Sequence, residues 1–539
     1  MEIKKLRWKL TPFLLIGVLF VVLLSIPVLF SVTQLFNDAP KWMFIVSNVL
    51  TTYLTNTLIL VFLVGVFSLS IGFYAAYVIS TKSFKGRNLL SLCLYLPLAI
   101  PAYVLSYLYV DTLSYSGRVY RLFVALGITS SLNLFSMTTA IFVLTLSLFP
   151  YAYIPLKAYL KNRNQHHEDV ARMLRVPLWK RIFSVHLPLM LPTLMTALMF
   201  IVFETVNDYG VTKYLNIKTL SVGMFDAWFQ LNDLTSALYL AMIYIVVLLS
   251  FYVVYQRIVK DTKKDTIKTY EKPYLISLNK KQTLLYTLPL WILVVLGLGL
   301  PIVELILNTI ESFQIESILP WLRALAATLL VAVFASFMIV VCSVIIANTK
   351  RFTTSLWIKK ILNFPIFGYA FPGVMIALIY YVFFIQFDRF LKPIYALFGS
   401  QRLILSLSIW MLISALVFRF IAIGFKQISN NYESIGMHHT LSSYTLRKGK
   451  WMTLLKIDIP MIRRGLIAGF ILSFIDIIKE LPMTLLLRPF NVQTLSTLIY
   501  TYINNEDISK ASFASLTLII ISVIFIIAFK SLGRKKNVS

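Results

Sequence analysis

The chain has 539 residues, 59% of them hydrophobic and only 13% charged, with a mean hydropathy of +0.81. That balance excludes a soluble globular domain and places the chain among integral membrane proteins. A formal net charge of +28 would point to nucleic acid if it covered a soluble face, but the basic residues lie in short segments between apolar runs. Membrane topology accounts for them, and no nucleic-acid partner is expected.

A helix needs about 20 mostly apolar residues to cross about 30 Å of hydrocarbon. Twelve such runs are present, near 11–31, 52–80, 89–111, 135–157, 188–208, 234–257, 283–307, 323–348, 361–386, 403–425, 460–480 and 511–530. With the N-terminus inside, the segments on that side hold 38 of the 50 Lys and Arg. This bias predicts a multi-pass protein of the plasma (inner) membrane with both termini cytoplasmic. The first run follows Lys4, Lys5, Arg7 and Lys9 but has no small-residue cleavage site, so it reads as an uncleaved helix. Cys93 and Cys342 both fall inside spans and give no disulfide framework.

Residues 1–257 hold the first six spans. The second span begins near Asn56-Thr57, and the third carries Pro97 and Pro101, whose missing N–H groups free backbone carbonyls that a neighbour or a cavity must satisfy. Ala99-Ile100-Pro101 is matched by Ala370-Phe371-Pro372, and both a packing kink and a pathway lining fit the pattern. Residues 258–282 form a basic linker that includes Lys260, Lys263, Lys264, Lys268 and Lys272, where anionic lipid is a possible neighbour. Residues 283–530 hold six more spans and 531–539 a basic tail. Six spans per half bring both halves into the membrane in one direction. The expected architecture is therefore all-α, about 12 transmembrane helices in two parallel six-helix repeats, with a pathway between the halves.

The loops 159–187 and 426–459 confirm the duplication. His166-His167, Leu174-Arg175, Trp179 and Pro188 return as His438-His439, Leu446-Arg447, Trp451 and Pro460, each 272 positions later. All five histidines lie in these segments, but adjacent histidines point to different helix faces, so no metal site is expected. Sixteen and twenty residues beyond the two prolines stand Glu204 and Asp208, then Asp476 and Glu480. Each pair shares one helix face. Carboxylates at that depth are costly against lipid, so these four are expected along a substrate pathway, where a negative ring would favour cations. The alternative is that they end their helices at the surface, with Lys479 and Arg488 as local partners.

The segment Glu168-Asp169-Val170-Ala171, with Leu174 and Arg175 and then Leu187-Pro188, resembles the EAA loop of ABC importer permeases. Asp169, Val170 and Ala171 fall on the Glu-Ala-Ala positions, Leu441, Ser442 and Ser443 fall there in the second copy, and Arg175 and Arg447 replace the glycine. The string Lys479-Glu480-Leu481-Pro482-Met483-Thr484-Leu485-Leu486-Leu487-Arg488-Pro489-Phe490, with Glu204-Thr205 and Asp208-Tyr209-Gly210 at the matching place, resembles the fused two-domain permeases of ferric iron ABC importers. The resemblance implies a type I importer fold and two ABC ATPase subunits docked at the loops through Asp169, Val170, Ala171, Leu174, Arg175, Ser442, Ser443, Leu446 and Arg447. It also implies an external binding protein that delivers substrate, with ferric iron expected. Thiamine, polyamine or aminophosphonate uptake shares this architecture, and an ion-coupled secondary carrier would share the spans without needing the loops. No Gly-x-x-x-x-Gly-Lys-[Ser/Thr] string is present, so the chain is expected to bind no cofactor, with ATP and magnesium used by a partner. It is not expected to be an enzyme.

Overall fold

The computed structural model describes residues 12–127, 133–162, 173–174, 176–177, 180, 187–260, 275–311, 318–353, 355–398, 403–406, 408–435, 438–446 and 448–534. Apolar runs without water must satisfy their own N–H and C=O groups, and these do so as helices. Among the described residues ten helices are long and apolar enough to cross a membrane, eleven if one bent pair counts as a single span. The only strands described are two residues long: Lys82–Ser83 pairs in parallel with Ile276–Ser277.

Three expected spans come out differently. The third breaks at Pro101 into arms Arg87–Ala99 and Ala102–Ala125, bent by 94°. The residue before a proline is driven to extended backbone, and Ile100 (ψ 119°) obeys, so the helix cannot run through. The ninth repeats the device: a 3-10 turn Phe364–Ala370, then Phe371 (ψ 136°), Pro372, and the helix Gly373–Leu397. The eleventh, expected over 460–480, is the 17-residue helix Arg463–Lys479, shorter than the usual span.

The compact units also differ from the contiguous halves. One unit is Ala39–Glu311 and the other joins Met1–Asp38 to Ser312–Ser539. Each unit thus takes its first span from the other half of the sequence. The Pro12–Gln34 helix packs on Gly373–Leu397, where Tyr380 Oη donates to the Leu24 carbonyl (3.0 Å) and Phe30 meets Phe383 edge-on at 5.8 Å. Within Ala39–Glu311, Tyr74 Oη donates to the Tyr286 carbonyl (3.0 Å) and Tyr109 Oη to the Leu296 carbonyl (2.7 Å). Leu296 lies in a π-helical turn, Val295–Gly299, whose widened ladder turns a carbonyl toward the tyrosine. Arg118 closes the end of this packing through Glu304, Asn308 (2.7 Å) and Glu311 (2.6 Å).

Candidate functional site

Both units build the same structure where the span after the repeated loop ends. In Ala39–Glu311 the helix Leu187–Asn207 stops and the short helix Gly210–Tyr214 begins. The first N–H groups of a helix have no partner inside it. Asp208 supplies one, its Oδ1 accepting from the N–H of Val211 (3.0 Å) and Thr212 (3.2 Å). Its carbonyl accepts from Thr212 Oγ1 (3.0 Å) and Ser221 Oγ (2.7 Å). Ser221 opens the next helix, Leu220–Phe229, and the Leu220 N–H donates to Thr57 Oγ1 on the second span (3.0 Å).

The other unit repeats each bond. Arg463–Lys479 stops, and Glu480 accepts from the N–H of Met483 (3.0 Å) and Thr484 (3.1 Å) at the start of Pro482–Leu487. The Glu480 carbonyl accepts from Thr484 Oγ1 (2.7 Å) and Ser496 Oγ (2.9 Å), and the Leu495 N–H donates to Thr328 Oγ1 (2.7 Å). An acid, a threonine four residues on, a serine from the next helix and a threonine from a distant span therefore form one motif, made twice.

The two copies differ in charge. Arg419 Nη1 lies 3.0 Å from Glu480 Oε1, both side chains nearly out of solvent. The sequence stands Ser147 at the Arg419 position of the first half, and Ala102 at the position of Gly373. A Cβ on Gly373 would collide with Arg419 Nη1 and come within 2.8 Å of Glu480 Oε1, so a larger residue there would displace the pair. The proline break at Pro372 is thereby seated against the Arg419–Glu480 pair. Arg419 lies inside the helix Ile409–Ile435, within the span expected over 403–425.

The four acids expected along a pathway thus divide. Asp208 and Glu480 cap helices, Asp476 pairs with Lys479 at 3.5 Å, and Glu204 is half-buried one turn before Asp208. Of the local partners expected for these acids, Lys479 pairs with Asp476, whereas Glu480 pairs with Arg419 and Arg488 Nη1 donates to the Val492 carbonyl (2.9 Å). Among the described residues no three ligating side chains gather to hold a metal.

Of the repeated loops, Asp169, Val170, Ala171, Arg175 and Arg447 lie outside the described residues. Leu174 is exposed, as is its counterpart Leu446. The second loop forms the helix His438–Thr445. Ser442 faces out, but Ser443 is buried with its Oγ 2.9 Å from Thr453 Oγ1. Ser443 therefore fastens this helix to its own chain, contrary to the expectation that it offers a partner surface. His438 and His439 are exposed.

Residues 68–264 and 339–537 each match the family described as "Binding-protein-dependent transport system inner membrane component". The chain belongs to this family. Each match starts inside the second span of its half and takes in the repeated loop, the capped break and the last span. The Fe(3+)-transport system permease protein FbpB 2 of Haemophilus influenzae is 25% identical over 493 residues, covering 89% of this chain and 90% of the relative. The molybdenum transport system permease protein ModB of Escherichia coli K12 is 29% identical over 147 residues, 27% of this chain and 63% of ModB. The ModB of Haemophilus influenzae is 25% identical over 146 residues.

As a fused permease with two copies of the family unit, the chain is a multi-pass membrane transport component of an ABC importer, not an enzyme. The residues that sequence reasoning missed are Thr57 and Thr328, Thr212 and Thr484, and Ser221 and Ser496. Their signal was available, since each pair recurs at the offset of its flanking repeat, 271, 272 and 275 positions.

Proposed function

We propose that the chain is the permease of an ATP-driven importer for ferric iron delivered by an external binding protein. The observation that carries the cargo is the similarity to an Fe(3+)-transport permease over 89% of this chain and 90% of the relative, whereas the molybdenum permeases match only about a quarter of the chain. In this reading both termini and both repeated loops are cytoplasmic. Two ATPase subunits dock at the loops, through Leu174 and its neighbours in the first copy and through the exposed face of His438–Thr445 with Leu446 in the second. ATP and magnesium belong to those subunits.

Glu204 and Asp476, one turn before the capping acids, are the carboxylates assigned to the pathway. Asp208 and Glu480 each hold the helix break of their own unit. Iron crosses as cargo passed along by carboxylate charge, because a low-dielectric path is costly for a cation without nearby negative groups. Glu204→Gln and Asp476→Asn remove charge while leaving the capping bonds, and each is expected to lower iron uptake about tenfold with folding intact. Normal uptake by both variants would remove the pathway role. To test the cargo, the soluble receptor that co-purifies with the complex is isolated and its ligand measured; a receptor that binds molybdate or thiamine and not ferric iron overturns the iron reading.

A further inference from the structure

The Ile318–Phe352 helix carries Lys350 and Arg351 in its last turn, and the Arg351 side chain is only 10% exposed. Its Nη1 donates to Thr440 Oγ1 (3.2 Å) and lies 3.6 Å from Asp458 Oδ1. Thr440 Oγ1 in turn donates to Asp458 Oδ1 (2.6 Å). The guanidinium lies over the Tyr432 ring at 4.8 Å from its centroid. One cation therefore joins four elements: the end of Ile318–Phe352, the end of Ile409–Ile435, the helix His438–Thr445, and a π-helical turn Leu454–Asp458.

The place of Asp458 matters most. It is the last residue of that π turn, two residues before Pro460, whose ring and missing N–H break the regular ladder. Past Pro460 the chain runs directly into Arg463–Lys479, the helix that ends on the Glu480 cap. Apolar packing alone would let His438–Thr445 slide over the bundle, since such contacts have no direction. A planar guanidinium fork, a carboxylate and a hydroxyl fix both distance and angle.

We propose that Arg351, Thr440 and Asp458 are positioning residues that transmit movement of His438–Thr445 into the Arg463–Lys479 helix, so that ATP hydrolysis is converted into transport. The proposal rests on the reading that an ATPase subunit presses on the exposed face of His438–Thr445. The first copy does not carry this set of side chains: in the sequence Ser80, Glu168 and His186 stand at the positions of Arg351, Thr440 and Asp458. The second loop is therefore the one whose grip depends on this triad.

The test uses the whole complex reconstituted in vesicles with Thr440→Val, Thr440→Ser and Asp458→Asn variants. Three quantities are read for each: the ATPase subunit retained, ATP hydrolysed, and iron moved per ATP. Valine keeps the shape of Thr440 and loses its hydroxyl; serine keeps the hydroxyl and loses a methyl. The expected result is that Thr440→Val and Asp458→Asn retain the ATPase and hydrolyse ATP but move about tenfold less iron per ATP, while Thr440→Ser stays near the unsubstituted protein. A normal ratio in Thr440→Val with an impaired one in Thr440→Ser would show that only volume matters and would overturn the triad. Loss of the ATPase subunit from the variants would assign the residues to docking and overturn it as well. An unsubstituted chain that holds no ATPase would overturn the functional reading beneath it.

Discussion

At the scale of single residues, the buried pair Arg419–Glu480 makes the second half more sensitive than the first. Removing one partner of a buried ion pair leaves the other charged and unpaired, at a cost of about 3–5 kcal/mol. Glu480→Gln is therefore expected to lower stability by that amount, read as thermal unfolding of the purified protein, and Arg419→Met added to it to recover most of the loss. Among the described residues no arginine pairs with Asp208, and Ser147 stands at the Arg419 position, so Asp208→Asn is expected to cost only about 1–2 kcal/mol. Equal losses at the two positions would contradict this account. Gly373→Ala drives a methyl into the pair and is expected to destabilise by about 1–3 kcal/mol, whereas Ala102→Gly at the matching place is mild. Glu204, Asp208, Asp476 and Glu480 were legible in the sequence because carboxylates are rare in apolar runs. Their division into caps and half-buried acids was not, since the donors that decide it, Val211, Thr212, Met483 and Thr484, are backbone N–H groups that no side-chain pattern marks.

At the scale of elements, proline decides where spans break, and threonine and aspartate decide where the next helices attach. Thr57→Val or Thr328→Val leaves a buried N–H, of Leu220 or Leu495, without an acceptor and is expected to cost about 1–3 kcal/mol. Asp233 holds a different junction. It accepts from the N–H of Lys41 (2.8 Å), from the N–H of Ser236 (3.0 Å) and from the Ser236 hydroxyl (2.7 Å), fixing the 41–48 segment to the helix Leu234–Lys260. Burial pushes its carboxyl up, but these donors outweigh burial and hold it below the ordinary value of about 3.9. A carboxylate whose folded pKa is depressed contributes stability that is complete above the unfolded value and lost as pH falls through the lower folded one. The melting temperature should therefore drop more steeply below about pH 4 in the unsubstituted protein than in Asp233→Asn, and parallel acid limbs would contradict the assignment. Twelve runs were legible from hydropathy, but the 94° bend at Pro101 and the helix break at Pro372 were not. A proline inside an apolar run marks a kink and a full break alike, and tertiary contacts such as Gly373 against Arg419 choose between them.

At the scale of the whole molecule, two copies of one transport unit are fused in one chain, and each family match omits the first span of its half. That omission agrees with the packing, in which Pro12–Gln34 belongs with the Ser312–Ser539 unit and Lys280–Glu311 with the Ala39–Glu311 unit. The repeat offset of 272 positions made the duplication legible, but sequence order concealed this exchange, because hydropathy reports that a helix spans and says nothing of its neighbours. The central claim is that a binding protein and ATP hydrolysis drive iron through this chain. Its most direct test is uptake of labelled ferric iron into vesicles holding the chain with its co-purifying ATPase and receptor. Uptake is predicted to require both receptor and ATP and to be indifferent to a proton gradient, while uptake that persists without ATP when a proton gradient is imposed would contradict it.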